Sequence, residues 1–152
     1  MLRRVVLALV LGALVALALA LPVAAQTGGS PGMATPTFLH AQLTGEQEVP
    51  GPGDPDGFGS ATVWTTSPNT VCYKLTAFDI APPNAAHIHE GPPGVAGPVV
   101  LPLRPPTGGA SAGCTSAAPA LVSDLQANPS GYYVNVHNVP YPEGAIRGQL
   151  DR

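Results

Sequence analysis

Two histidines one residue apart, His87 and His89, lie in the stretch Asn84 to Val100, NAAHIHEGPPGVAGPVV, and run directly into a turn rich in Gly and Pro. In extended backbone, successive side chains alternate between faces, so both imidazoles share one face and Ile88 takes the other. Paired neutral imidazoles are half a site for a borderline transition metal such as copper or zinc. The chain has four histidines, and completion of the site falls to His137 or His40. His137 lies in the run YYVNVHNV at 132–139, on a face shared with Tyr133 and Asn135, and is the third ligand the pattern favours. His40, in TFLHAQLTG at 37–45, shares a face with Phe38 and reads as a half-exposed strand histidine. It joins the site only if the fold turns it inward. Glu90 and Glu143 are the carboxylates placed to act as a fourth ligand or to fix a ring tautomer from outside the shell. The competing reading is structural: His87 and His89 bond the adjacent turn, and His137 bonds a carboxylate or a tyrosine. No Ser or Cys sits in a nucleophile context, so no catalytic residue is assigned.

The elements that must position these rings begin well inside the chain. Arg3 and Arg4 precede an apolar run from Val5 to Leu21 and a small-residue stretch at Val23 to Ala25, the pattern of a signal peptide over residues 1–25. Residues 26–36, QTGGSPGMATP, read as a flexible leader, and residues 37–151 as one domain. Export implies a secreted, periplasmic or cell-surface protein with no membrane span once the signal is cleaved. Without Arg3 and Arg4, four basic residues remain against nine acidic ones, a balance that repels a phosphate backbone and excludes nucleic acid as a partner. The partner expected instead is another extracytoplasmic protein or a surface ligand.

Only 10% of residues are charged, while Gly numbers 18 and Pro 19, so turns must cover much of the surface. Alternation marks strands at 37–45, 58–66, 70–80, 97–103, 132–139 and 145–150. In the 70–80 strand Val71, Tyr73, Leu75 and Ala77 are expected inward, because the other row carries Lys74. The segment 45–57, with Glu46, Glu48, Asp54 and Asp56, reads as a long loop whose carboxylates cap turns. Residues 105–116 also read as loop, and 119–128 as a helix of one or two turns started by Pro119. Two cysteines in an exported chain, Cys72 and Cys114, imply one disulfide. Many short strands, regular turn signals and one short helix give an all-β fold, a Greek-key β-sandwich of the immunoglobulin-like kind or a partly open barrel.

Four ordered stretches, GEQEVP at 45–50, NAAHIHEGPPGVAGPVVLPL at 84–103, SDLQANPSGYYVNVHN at 123–138 and PEGAIRGQL at 142–150, resemble the CHRD domain, the module named after chordin and found singly in secreted bacterial proteins. The resemblance implies an extracytoplasmic β-sandwich with no established enzymatic activity. The family's recurring positions fall on Glu48, His87, His89, Gly91, Asn135, His137, Glu143, Arg147 and Gly148. A polar network of Glu48, Arg147 and Glu143 is expected to lock the first loop to the last strand, with Arg147 in an ion pair. A His-x-His strand with a later strand histidine is also similar to the copper half of Cu/Zn superoxide dismutase, although the full dismutase ligand set is absent. The resulting expectation is a secreted, non-catalytic structural or interaction module, which would present an apolar or aromatic surface patch, with Tyr132, Tyr133 and Tyr141 as candidates for it. The alternatives are a copper or zinc binding protein using His87, His89 and His137, which requires those imidazoles to converge, and a metal-dependent redox enzyme built on the same site.

Overall fold

The computed structural model describes residues 36–152; the expected signal peptide and all but the last residue of the expected leader lie outside the described residues. The chain forms β1 (Phe38–Thr44), β2 (Phe58–Ser67), β3 (Thr70–Phe78), β4 (Pro83–Glu90), β5 (Val99–Leu103), β6 (Ala110–Ser116), α1 (Pro119–Ala127), β7 (Tyr132–Asn138) and β8 (Ile146–Gln149). The eight strands make one antiparallel sheet in the order β5-β4-β7-β8-β1-β2-β3-β6, which curls into a near-barrel around a single apolar core. The all-β expectation holds. No helix among the described residues is long and apolar enough to cross a membrane.

Alternation decides which face is wet. Leu39, Ala41 and Leu43 of β1, Ala61 and Val63 of β2, and Val71, Tyr73, Leu75 and Ala77 of β3 all point into the core, as the position of Lys74 implied. On the strands that carry the histidines the inward set is Ala86 and Ile88 of β4, Val134 and Val136 of β7, and Ile146 of β8. Helix α1 starts on Pro119 and adds Val122 and Leu125 to the same core. The other face of β4, β7 and β8 therefore carries the polar row residues. Register sets them in ranks: His87 opposite Asn135 opposite Arg147, then His89 opposite Tyr133 opposite Gln149, with His137 opposite Ala85.

Three differences from the expected strands exceed one residue. The 70–80 strand stops at Phe78, because Asp79 takes a left-handed φ of 53° that ends the pleat. Strand β5 begins at Val99, two residues late, after a register shift between Ile88 and His89. The largest change is β6: residues 110–116, expected as loop, pair along their whole length with β3. Its Ala, Ser and Gly carry none of the β-branched or aromatic bulk that marks a strand in sequence. Cys114 stands directly opposite Cys72 in that ladder, and the two are joined in a disulfide. The bridge closes a span of 42 positions, for which the chain-entropy estimate is about 4 kcal/mol. Cys72→Ser/Cys114→Ser should therefore lower the unfolding free energy by up to about 4 kcal/mol, measured by urea denaturation against the oxidised parent. A loss below 1 kcal/mol would show that the bridge does not constrain the unfolded chain.

Candidate metal centre

The ranks on the outer face of β4 and β7 bring three imidazoles together. The ligand-capable nitrogens of His87, His89 and His137 all lie within 4.8 Å of one another. His87 and His137 are half-buried and His89 is buried. The ring centroids are 5.0 Å apart for His87 and His137, 5.5 Å for His87 and His89, and 6.3 Å for His89 and His137.

Each ring's tautomer follows from its neighbours. His89 Nδ1 is 2.9 Å from the Gly97 carbonyl and His137 Nδ1 is 3.0 Å from the Pro142 carbonyl. A carbonyl only accepts, so each Nδ1 carries the proton and each Nε2 keeps its lone pair. His87 Nδ1 lies 3.1 Å from His137 Nε2 and donates to it in the free protein. That leaves His89 Nε2 as a buried acceptor with no hydrogen-bond partner among the described residues. All three rings favour the neutral form that a metal requires. Burial, followed by the neighbouring His137 and His89, pulls His87 down to about 4. Burial also lowers His89, against the Gly97 bond, and lowers His137, against the Pro142 bond and the charge of Glu143.

One pair of the three has the spacing of ligands on a single ion. At metal–nitrogen lengths of about 2.0–2.1 Å, two imidazole nitrogens on one ion stand about 2.9–3.4 Å apart between square and tetrahedral angles. The 3.1 Å between His87 Nδ1 and His137 Nε2 falls within that range. The donor set is all-imidazole, which suits copper and zinc and is poor for calcium or magnesium.

The remaining expected ligands are not brought to the cluster. His40 is exposed on β1, bridged to Asp151 and 3.5 Å from the Thr62 hydroxyl, with β8 between it and β7. Glu90 follows His89 directly, so alternation turns it off the imidazole face. It lines a groove of about 870 Å³ with Asp124 and Tyr132. Glu143 is exposed in the turn before β8 and acts on His137 only through its charge. The expected patch is not centred on Tyr132 and Tyr133, both 3% exposed; the exposed aromatics are Phe38, Phe58 and Phe78 of β1 to β3.

A second polar layer supports the first. Tyr133 stacks on His89 at 4.7 Å between centroids and 12° between planes. The Arg147 guanidinium lies 3.4 Å from the same ring's centroid. Arg147, 2% exposed, donates to the carbonyls of Val95 and Pro92 and to Gln149 Oε1. The ion pairs expected for it with Glu48 and Glu143 are not among its contacts, because the loop 91–98 folds back and takes its donors. Sequence gave no sign of this, since irregular-loop carbonyls carry no side-chain signature. Tyr133 was legible only as a face-mate of His137.

Glu48 is spent elsewhere. Its two carboxylate oxygens accept from Asn135 Nδ2 at 3.0 and 3.1 Å, and it is 5% exposed. Gly144 makes room for it: φ there is +151° and a Cβ would sit 2.2 Å from Glu48 Oε2. Burial pushes the Glu48 carboxyl up to about 7, against the Asn135 amide, the charge of Arg147 and the Val49 backbone N–H. A carboxyl raised on folding holds its proton more tightly in the native state, so its stabilising contribution is complete below pH 4.5 and lost as pH rises through about 7. That loss is about 3 kcal/mol. The lowered histidines act oppositely, weakening the fold as pH falls below about 6.5. Glu48→Gln should thus gain on the parent by about 3 kcal/mol between pH 4.5 and 8, read as the difference between two urea-unfolding series. A constant difference across that window would refute the buried-carboxyl account.

A family model described as CHRD domain matches residues 39–150 of this chain. No curated protein and no solved structure matches it. The matched span runs from the first core residue of β1 to Leu150 and takes in all three histidines with Glu48, Asn135 and Arg147. The chain belongs to the CHRD domain family.

Proposed function

We propose that this CHRD domain is an extracytoplasmic metal-binding module that holds one copper or zinc ion on His87, His89 and His137. The observation that carries the reading is His89 Nε2, a buried lone pair without a donor, standing beside a pair of imidazoles already at ligand spacing. Leaving a buried acceptor unmatched costs about 1–3 kcal/mol, and an ion removes that cost while three protein ligands hold it. A purely structural role would satisfy His89 at both nitrogens, as it does His137. Carbonyls fix the tautomers of His89 and His137 in advance, the outer support that metal-bound histidines ordinarily have. Only His87 must rearrange, moving its proton from Nδ1 to Nε2 and releasing His137 Nε2 as it does so. An outward-facing disulfide-bonded sheet fits an oxidising compartment, where such a site would meet its metal after export.

Elemental analysis of the dialysed mature protein, expressed with export and exposed to Cu(II) or Zn(II), should return one ion per chain. Thermal unfolding should shift upward with free metal, by about 4 kcal/mol of linkage when the free ion exceeds Kd a thousandfold. A parent protein that retains no ion and binds Cu(II) no better than His137→Ala would end the proposal.

A further inference from the structure

Resting on that reading, we infer that the centre is open and aquated, and that Asn135 is its positioning residue, accepting a hydrogen bond from water on the ion held by His87, His89 and His137. Among the described residues two buried side-chain polar atoms have no hydrogen-bond partner, His89 Nε2 and Asn135 Oδ1. Both are acceptors, and they stand one rank apart on adjacent strands of the same face.

Asn135 is 2% exposed and directly opposite His87 in register. Ionised Glu48 only accepts, and its carboxylate faces Nδ2, so above about pH 7 it is met by the amide's donor end. Oδ1 diverges from that bond. Glu48 comes from the loop packed on the start of β8, as its approach to Gly144 shows. Oδ1 is thus the end of the amide left without a partner, on a side chain directly opposite His87.

In the free protein the side-chain donors of the neighbouring ranks are committed elsewhere. The Arg147 guanidinium serves Val95, Pro92 and Gln149, the His89 proton serves Gly97, and the His137 proton serves Pro142. The His87 proton serves His137 in the free protein. Three imidazoles leave a tetrahedral ion one position short, which is the pattern of exchangeable rather than closed sites. Water on a divalent cation is a strong donor because the ion polarises its O–H bonds. One hydrated ion therefore satisfies both orphaned acceptors, His89 Nε2 on the metal and Asn135 Oδ1 through the bound water. The position so defined exchanges with small anionic ligands, and those unable to donate a hydrogen bond are disfavoured beside Oδ1.

The test uses the Cu(II)-loaded domain and azide, a small anion with no proton to give. Electron–nuclear double resonance in H2O and D2O should show strongly coupled exchangeable protons at the copper of the parent protein. Asn135→Leu, of similar size, should keep its copper and bind azide about tenfold more tightly, because displacing the water no longer forfeits a hydrogen bond. Absence of exchangeable protons in the parent overturns the inference, and so does an Asn135→Leu variant that holds copper with unchanged azide affinity. If the variant does not fold, the parent measurement still overturns the inference when it shows no exchangeable protons. A parent that binds no copper refutes the metal reading instead, and shows itself in the elemental analysis before azide is added.

Discussion

Arg147→Ala is expected to destabilise the domain by about 3–5 kcal/mol, the usual scale for removing one member of a buried, hydrogen-bonded polar cluster. The side chain is among the largest fully buried ones in the chain, at 2% exposure. Its loss would vacate that volume, remove the cation over Tyr133 and free the carbonyls of Pro92 and Val95. With a typical domain stable by only 5–15 kcal/mol, the variant should sit close to the edge of folding. Urea denaturation reads the stability, and limited proteolysis reads the release of residues 91–98. Arg147→Lys restores the charge but not the planar fork that reaches two carbonyls at once, and should recover less than half of the loss. If Arg147→Ala unfolds within 1 kcal/mol of the parent, the loop is held by its other contacts, chiefly Gly97 with Tyr133 and His89 and Gly91 with Gln149.

His89→Ala should separate binding from folding. Metal affinity is expected to fall by more than about a hundredfold, since even outer partners of a ligand are worth 10–100-fold. The metal-free fold should suffer much less. The substitution removes a stack on Tyr133 worth about 0.5–1.5 kcal/mol, while also removing a buried acceptor that had nothing to accept. Competition titration with a chromophoric chelator and metal-free thermal melts measure the two quantities on one preparation. Copper affinity within tenfold of the parent would show that His89 is not a ligand.

How much of this was legible depends on which force placed each residue. His87, His89 and His137 were legible because a strand's period of two is dictated by the backbone, and Ile88, Val134 and Val136 left no choice about the inward face. The same rule, applied one step further, would have removed Glu90 from the candidate ligands, since it stands one residue beyond His89. The Cys72–Cys114 bridge followed from compartment and count, whereas the strand that holds Cys114 did not. In β6 the side chains are too small to show a pattern, and pairing with β3 comes from the ladder itself. Arg147 was legible as a structural residue but not by partner. Sequence ranks opposite charges first, and here chain geometry offered it carbonyls of a turn. Asn135 and Glu48 both stood among the family's recurring positions, but nothing linear joins residues 87 positions apart.

The outermost position of β6 bears on where this domain can mature. Its residues alternate between half-buried and exposed along the whole strand, so almost no hydrophobic burial holds it against β3, and the backbone ladder and the covalent tie to Cys72 do that work. In a reducing cytosol β6 would be the first segment to open to hydrogen exchange. Once it lifts, β3 presents a row of free backbone donors and acceptors flanked by Phe78 and Lys74, an edge on which another chain's strand can pair. Oxidation is thereby also a guard against self-association: the small-residue strand works as a latch over a sticky edge, and the latch closes only under oxidising conditions.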